Sequence, residues 1–91
     1  METMIVENLK SSRSGRTVAN QYNINFKGMA IFQSYSTVIA AVKNQILYVD
    51  ENYYSRTTSK YLNAWIRDHA YKYEKIEKIS NSKLLKLLKI A

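Results

Sequence analysis

The chain has no cysteine, one histidine (His69) and only two glycines (Gly15 and Gly28) in 91 residues. Without cysteine there is neither a disulfide framework nor a thiolate metal site. Two isolated glycines cannot build a phosphate-cradling loop. A single histidine with no cysteine and no clustered acids leaves a nucleophilic triad or a metal shell without its other members. Acids are scarce, 7 against 14 Lys and Arg. The adjacent pair Asp50-Glu51 would point to opposite faces of a strand and makes a poor carboxylate couple. No apolar run approaches the ~18 residues of a membrane span. The early Glu2 and Glu7 make the N-terminus a poor signal peptide. These absences set the expectation of a binding protein that is not an enzyme, needs no cofactor or metal, and does not have a membrane as its partner.

A chain of this length forms one domain with a single modest core. Its net charge of +7 is unevenly spread. Residues 1–52 carry five basic residues against four acids, whereas residues 53–91 carry nine against three, so +6 of the +7 lies in the C-terminal part. A one-sided positive field suits nucleic acid or an acidic protein. Solubility alone would also account for such a charge.

Residues 1–19 read as a flexible basic N-terminal arm. Ser11-Ser12-Arg13-Ser14-Gly15-Arg16 has a linker's composition, and Ile5 and Val6 could add a short strand. The core domain then spans 20–79. Tyr22, Ile24 and Phe26 alternate with Gln21, Asn23 and Asn25, the pattern of a half-buried strand. Lys27-Gly28 supplies a turn. Further strands are predicted over Met29–Tyr35, Thr37–Val42 and Gln45–Val49, with Lys43-Asn44 as a second tight turn. Regular spacing with short turns implies an antiparallel meander.

A helix follows, with Ser55, Thr57 or Thr58 as its cap. Leu62, Trp65, Ile66, His69 and Tyr73 recur at three and four residues and form its apolar face. Trp65 is expected to pack on the sheet against the Tyr22, Ile24, Phe26 row. His69 reads as a core or boundary residue rather than a base. Arg56, Lys60, Asn63, Arg67 and Tyr71 fall on the opposite face. Among the aromatics, Tyr35, Tyr53, Tyr54 and Tyr71 are the surface candidates for stacking. Beyond Ser80-Asn81-Ser82, residues 80–91 form a short C-terminal amphipathic helix capped by Ser82. Leu84, Leu85, Leu87 and Leu88 are apolar there and Lys83, Lys86 and Lys89 polar. A basic amphipathic helix can lie on a membrane, but one too short to stand alone in water is expected to pack on its own domain or on a second copy, the latter giving a homodimer through those four leucines.

Three segments carry a resemblance. They are Phe32-Gln33-Ser34-Tyr35-Ser36-Thr37-Val38-Ile39-Ala40, the Leu47-Tyr48-Val49-Asp50 strand, and Tyr54-Ser55-Arg56-Thr57-Thr58-Ser59-Lys60-Tyr61. Over roughly residues 18–67 the chain resembles a family of small proteins of phages, archaeal viruses and prophages that has no assigned activity. That family often has Trp-Asp-Tyr where this chain has Asn52-Tyr53-Tyr54. The resemblance implies a viral or mobile-element setting, hence the host-cell cytoplasm, and a strand-rich domain ending in a helix.

The combined expectation is an α+β fold: a three- or four-stranded antiparallel β-meander packed by one main α-helix, plus a short C-terminal helix. The expected function is nucleic-acid binding, DNA before RNA. Arg56, Lys60 and Arg67 would meet phosphates, and Asn63 and Tyr54 would add polar or stacking contacts. The alternatives are an inhibitor of a host defence protein that plugs an acidic groove, and an assembly protein that dimerises through its leucines.

Overall fold

The computed structural model describes residues 4–11, 14–52 and 54–88. Arg13, Tyr53 and Lys89 lie outside the described residues. In chain order the elements are strands β1 (Ile5–Lys10), β2 (Thr17–Phe26), β3 (Met29–Ser34), β4 (Thr37–Lys43) and β5 (Ile46–Asp50), helix α1 (Arg56–Asp68), a 3-10 turn (Ala70–Lys72), strand β6 (Lys75–Ile79) and helix α2 (Asn81–Leu88). All six strands form one sheet in the order β1-β2-β3-β4-β5-β6.

The α+β class holds, but the sheet has six strands rather than three or four. It begins at Ile5, inside the stretch read as a flexible arm, because β1 pairs antiparallel with β2. The meander also ends one strand early. β6 pairs with β5 in parallel, since a chain that crosses the sheet through a helix re-enters in its starting direction. β6 carried no strand signal. Ile76 and Ile79 are three apart, a helical spacing, and the strand is fixed by backbone pairing at an edge.

Local chemistry sets the hairpins. Lys27 and Gly28 (φ 52° and 77°) join β2 to β3, and Asn44 and Gln45 (φ 53° and 65°) join β4 to β5. Positive φ at both central residues gives the turn hand that matches strand twist.

A helix covers each face of the sheet. On one side Trp65 of α1 joins a buried cluster with Ala30, Phe32, Ile39, Ala40, Val42, Leu47 and Val49. On the other, Leu84 of α2 meets Ile24, Met29, Ile31 and Ala41. The central strands β3 and β4 are therefore buried on both faces, and they read as unbroken apolar runs.

This layering corrects the expected partner of Trp65. Tyr22, Ile24 and Phe26 belong to the α2 side. Strand alternation turns Gln21 and Asn23 toward α1, and the wholly buried indole donates from Nε1 to Asn23 Oδ1 at 2.8 Å. A buried indole N–H needs an acceptor, so a polar residue on that row is what the site requires.

Ser55 caps α1, accepting from the Thr58 amide at 3.2 Å. The helix stops at Asp68, with His69 as its C-cap. The His69 ring stacks on Trp65 with centroids 4.2 Å apart, and its Nδ1 donates to the Trp65 carbonyl at 2.8 Å. Tyr71 and Tyr73 therefore lie beyond the helix and not on its faces. α2 is capped by Ser80 rather than Ser82, the Ser80 hydroxyl accepting from the Lys83 amide at 3.3 Å. Leu84 is wholly buried, Leu87 and Leu88 are half-buried, and Leu85 is exposed. Leu84 and Leu88 pack on the chain's own sheet.

One carboxylate ties the two helices together. Asp50, at the end of β5 and 4% exposed, accepts on Oδ2 from the Tyr54 hydroxyl at 2.6 Å and from Asn81 Nδ2 at 2.7 Å. Its Oδ1 accepts from the Asn52 amide at 2.9 Å. Tyr54 leads into α1 and Asn81 begins α2, so both helix starts hang on this group.

Candidate functional site

The exposed side of α1 carries Arg56, Lys60, Asn63 and Arg67. Their spacing of four, three and four residues keeps them on one face. At 1.5 Å per residue the row is about 16 Å long. Leu62, Trp65 and Ile66 hold the opposite side of the helix against the sheet. The row is thus mounted on a rigid, capped element whose orientation is fixed by burial of the indole.

Three of these four side chains converge. Lys60, Asn63 and Arg67 line a groove of about 270 Å³ together with Tyr61, Ala64 and Lys10 of β1. No carboxylate lines it. Among the described residues the ion pair present is Lys75–Glu77, at 3.2 Å and on β6. The Lys60 ammonium sits 5.4 Å from the centroid of the Tyr61 ring, which positions the charge beside the groove. The three cations share this groove without a carboxylate in its lining, an arrangement that favours an anion.

Two expected members stand apart. Arg56 is exposed at the first position of α1 and does not line the groove. Tyr54 is half-buried, packs against the α1-side core and donates its hydroxyl to Asp50. Burial first, and then the hydrogen bond and the negative charge of Asp50, push its hydroxyl up to about 12. It works as a strut under α1. Burial alone would raise the Asp50 carboxyl, but hydrogen bonds from Tyr54, the Asn52 amide and Asn81 outweigh that and hold it below the usual carboxylate range. The polar strand end at Asp50 is therefore a structural node. An Asp whose side chain accepts from the amide two residues on is a turn signal, and it was the available hint.

Lys10 is the residue that sequence reasoning missed. It lay in the presumed arm, with nothing local to tie it to a helix fifty residues away. The other aromatic candidates do not line the groove. Tyr35 is exposed at the β3–β4 turn with φ 55°. Tyr71 is exposed in the 3-10 turn, with the Lys72 ammonium 5.6 Å from its ring. Among the described residues no three of His, Asp and Glu could share a metal ion.

A family model, described as a family of unknown function (DUF8033), matches residues 4–81. The chain belongs to this family. The match takes in all six strands, α1 and the first residue of α2. Both walls of the groove, Lys10 on β1 and the α1 row, therefore fall inside the family domain. No curated protein and no solved structure matches the chain.

Proposed function

We propose that this protein is a non-enzymatic binding protein that holds nucleic acid on the exposed face of α1. The observation that carries the reading is the convergence of Lys60, Arg67 and Lys10, with Asn63 between them, on a groove free of carboxylates. Lysine and arginine would meet phosphates and set the position of the chain on its partner, and Asn63 is the polar group able to touch a base edge or sugar. The net charge of +7 adds long-range attraction. The resemblance to proteins of phages and archaeal viruses supports a mobile-element setting, where the partner would be met in the host cytoplasm.

The test compares two double reversals. Lys60→Glu with Arg67→Glu, and Lys83→Glu with Lys86→Glu, each lower the net charge from +7 to +3. If net charge alone drives binding, both abolish it equally in a gel shift against DNA and RNA. If α1 is the interface, the first pair abolishes the shift and the second weakens it only a few-fold. Removing a cation that meets a phosphate should also lower the slope of log affinity against log salt by about 0.7–0.9. Binding that survives the α1 reversal removes this reading. An acidic protein partner then takes its place, such as a host defence protein blocked by the cationic face, with loss of a pull-down as the measure.

A further inference from the structure

We infer that the groove between α1 and β1 takes a single nucleic-acid strand, with Lys10 as a phosphate contact supplied from the edge of the sheet. The inference rests on the reading of α1 as a nucleic-acid interface and narrows its partner.

The placement of Lys10 is not what a regular strand would give. Glu7 and Asn8 pair with Asn23 and Tyr22, but the register slips between Asn8 and Lys10, which pairs with Thr17. In a regular strand Leu9 and Lys10 would point to opposite faces. Here Leu9 packs into the α1-side core, and its neighbour Lys10 lines the groove beside α1. The extra residues belong to β2, where the step from Tyr22 to Thr17 opposes the shorter step from Asn8 to Lys10 and Asn20 takes φ 66°. Irregularities of this kind change the local twist and pairing and recur beside functional sites. Leu9 anchors the strand end, so the amine of Lys10 is carried on a fixed base. Just beyond it, the Ser11 amide donates to the Arg16 carbonyl at 2.9 Å. That hydrogen bond closes the turn between β1 and β2 directly after Lys10.

The lining of the groove favours one strand over two. The groove has cations on both walls, from α1 and from β1, and a volume of about 270 Å³. A backbone must lie between those walls to meet Lys10, Lys60 and Arg67 at once. A duplex admits a helix into its major groove, ~12 Å wide, and would be met by the exposed row of α1 rather than between the two walls. Tyr61 also lines the groove, half-buried against the α1-side core with the Lys60 ammonium beside its ring. An aromatic edge and a cation, the pairing that single-strand sites use, therefore stand together there.

The full-length chain and its Lys10→Ala variant are titrated by fluorescence anisotropy with a labelled oligothymidine and with a hairpin duplex of equal charge. The expected result is tighter binding of the oligothymidine than of the duplex. Lys10→Ala should weaken oligothymidine binding roughly tenfold, the effect of removing one charge-assisted hydrogen bond, and lower its salt slope by about 0.7. Duplex binding should change less than twofold, and Lys10→Arg should restore the slope. If Lys10→Ala leaves oligothymidine affinity and slope unchanged while the Lys60, Arg67 reversal abolishes binding, the interface stands and the groove inference falls. A preference for duplex overturns it as well. No affinity for either probe at low salt removes both readings.

Discussion

α1 and α2 are built to the same plan and end up with different roles. Each is amphipathic, each is capped by a serine just before its first residue, and each drives one large side chain into a face of the same sheet, Trp65 for α1 and Leu84 for α2. Each also presents exposed cations. The groove beside α2 is the larger, about 470 Å³, lined by Tyr48, Ile79 and Leu87 with Lys83 and Lys86. But Glu77 lines it too, and Lys43 is occupied in donating to the Leu87 carbonyl at 2.9 Å, closing the helix end. Beside α1 the cations share their space with no acid. A basic amphipathic helix is therefore not a site by itself. The neighbouring strand makes the difference: β1 adds a third cation, Lys10, to the α1 groove, whereas β6 sets Glu77, itself paired with Lys75, beside Lys83 and Lys86.

The comparison breaks most sharply at the two buried anchors. Trp65→Ala removes a wholly buried indole and leaves Asn23 without its donor, and should cost about 3–5 kcal/mol. Leu84→Ala empties a smaller site under a helix of eight residues that can settle inward, and should fall toward the low end of about 2–5 kcal/mol. Urea unfolding of both variants gives the ranking. An equal loss would mean that the two faces contribute alike, and that the greater size of α1 is not what anchors the fold.

The link between the helices gives the next effect. Tyr54→Phe leaves the buried Asp50 carboxylate short of one donor and should cost about 1–3 kcal/mol. The pH dependence follows from the signs of the shifts. Asp50 is held below its ordinary value of 3.8, so its contribution is present above that pH and fades as pH falls through the lowered value. Tyr54 is raised from 10.0 to about 12, so its contribution is intact below pH 10 and is lost as pH climbs toward 12. Melting temperatures across pH should show both limbs in the parent, whereas Tyr54→Phe should lose the part of the alkaline limb that Tyr54 supplies. An unchanged alkaline limb would show that the hydroxyl does not hold the helices together.

The smallest effect lies in the turn that leads into β5. Gln45 sits at φ 65°, a conformation that costs a side-chain-bearing residue ~1–2 kcal/mol. Gln45→Gly should stabilise by about 0.5 kcal/mol once the extra chain entropy of glycine, ~0.5–1 kcal/mol, is subtracted. Neither groove should notice, so unchanged nucleic-acid affinity alongside a small rise in melting temperature is the expected pair of results.

Several elements were legible in the residues. The Lys27-Gly28 turn, the apolar runs of β3 and β4, the Ser55 cap and the exposed row on α1 all follow from short-range chemistry. The turn needs a cheap left-handed residue, the cap needs a short hydroxyl, and a row at spacings of three and four is a property of helical geometry alone. β1 was legible only as a short strand at Ile5 and Val6, and β6 not at all. Both are edge strands with few buried side chains, and an edge strand is held by backbone hydrogen bonds that any sequence can make.

The sequence by itself determined the periodicities: which residues could share a face, where the chain could turn, and that the C-terminal part of the chain is basic. It could not determine which face met which partner. The alternation of β2 offered an apolar row and a polar row, and the apolar one looked like the natural seat for Trp65. Only the tertiary structure, by placing a helix on each side, gave Tyr22, Ile24 and Phe26 to the α2 side and Asn23 to the indole. The same holds for the candidate site. The cations on α1 were written in the helix, but Lys10 reached them through a slipped register at a sheet edge. Pairings between residues far apart in sequence depend on how layers stack, and no local pattern encodes that.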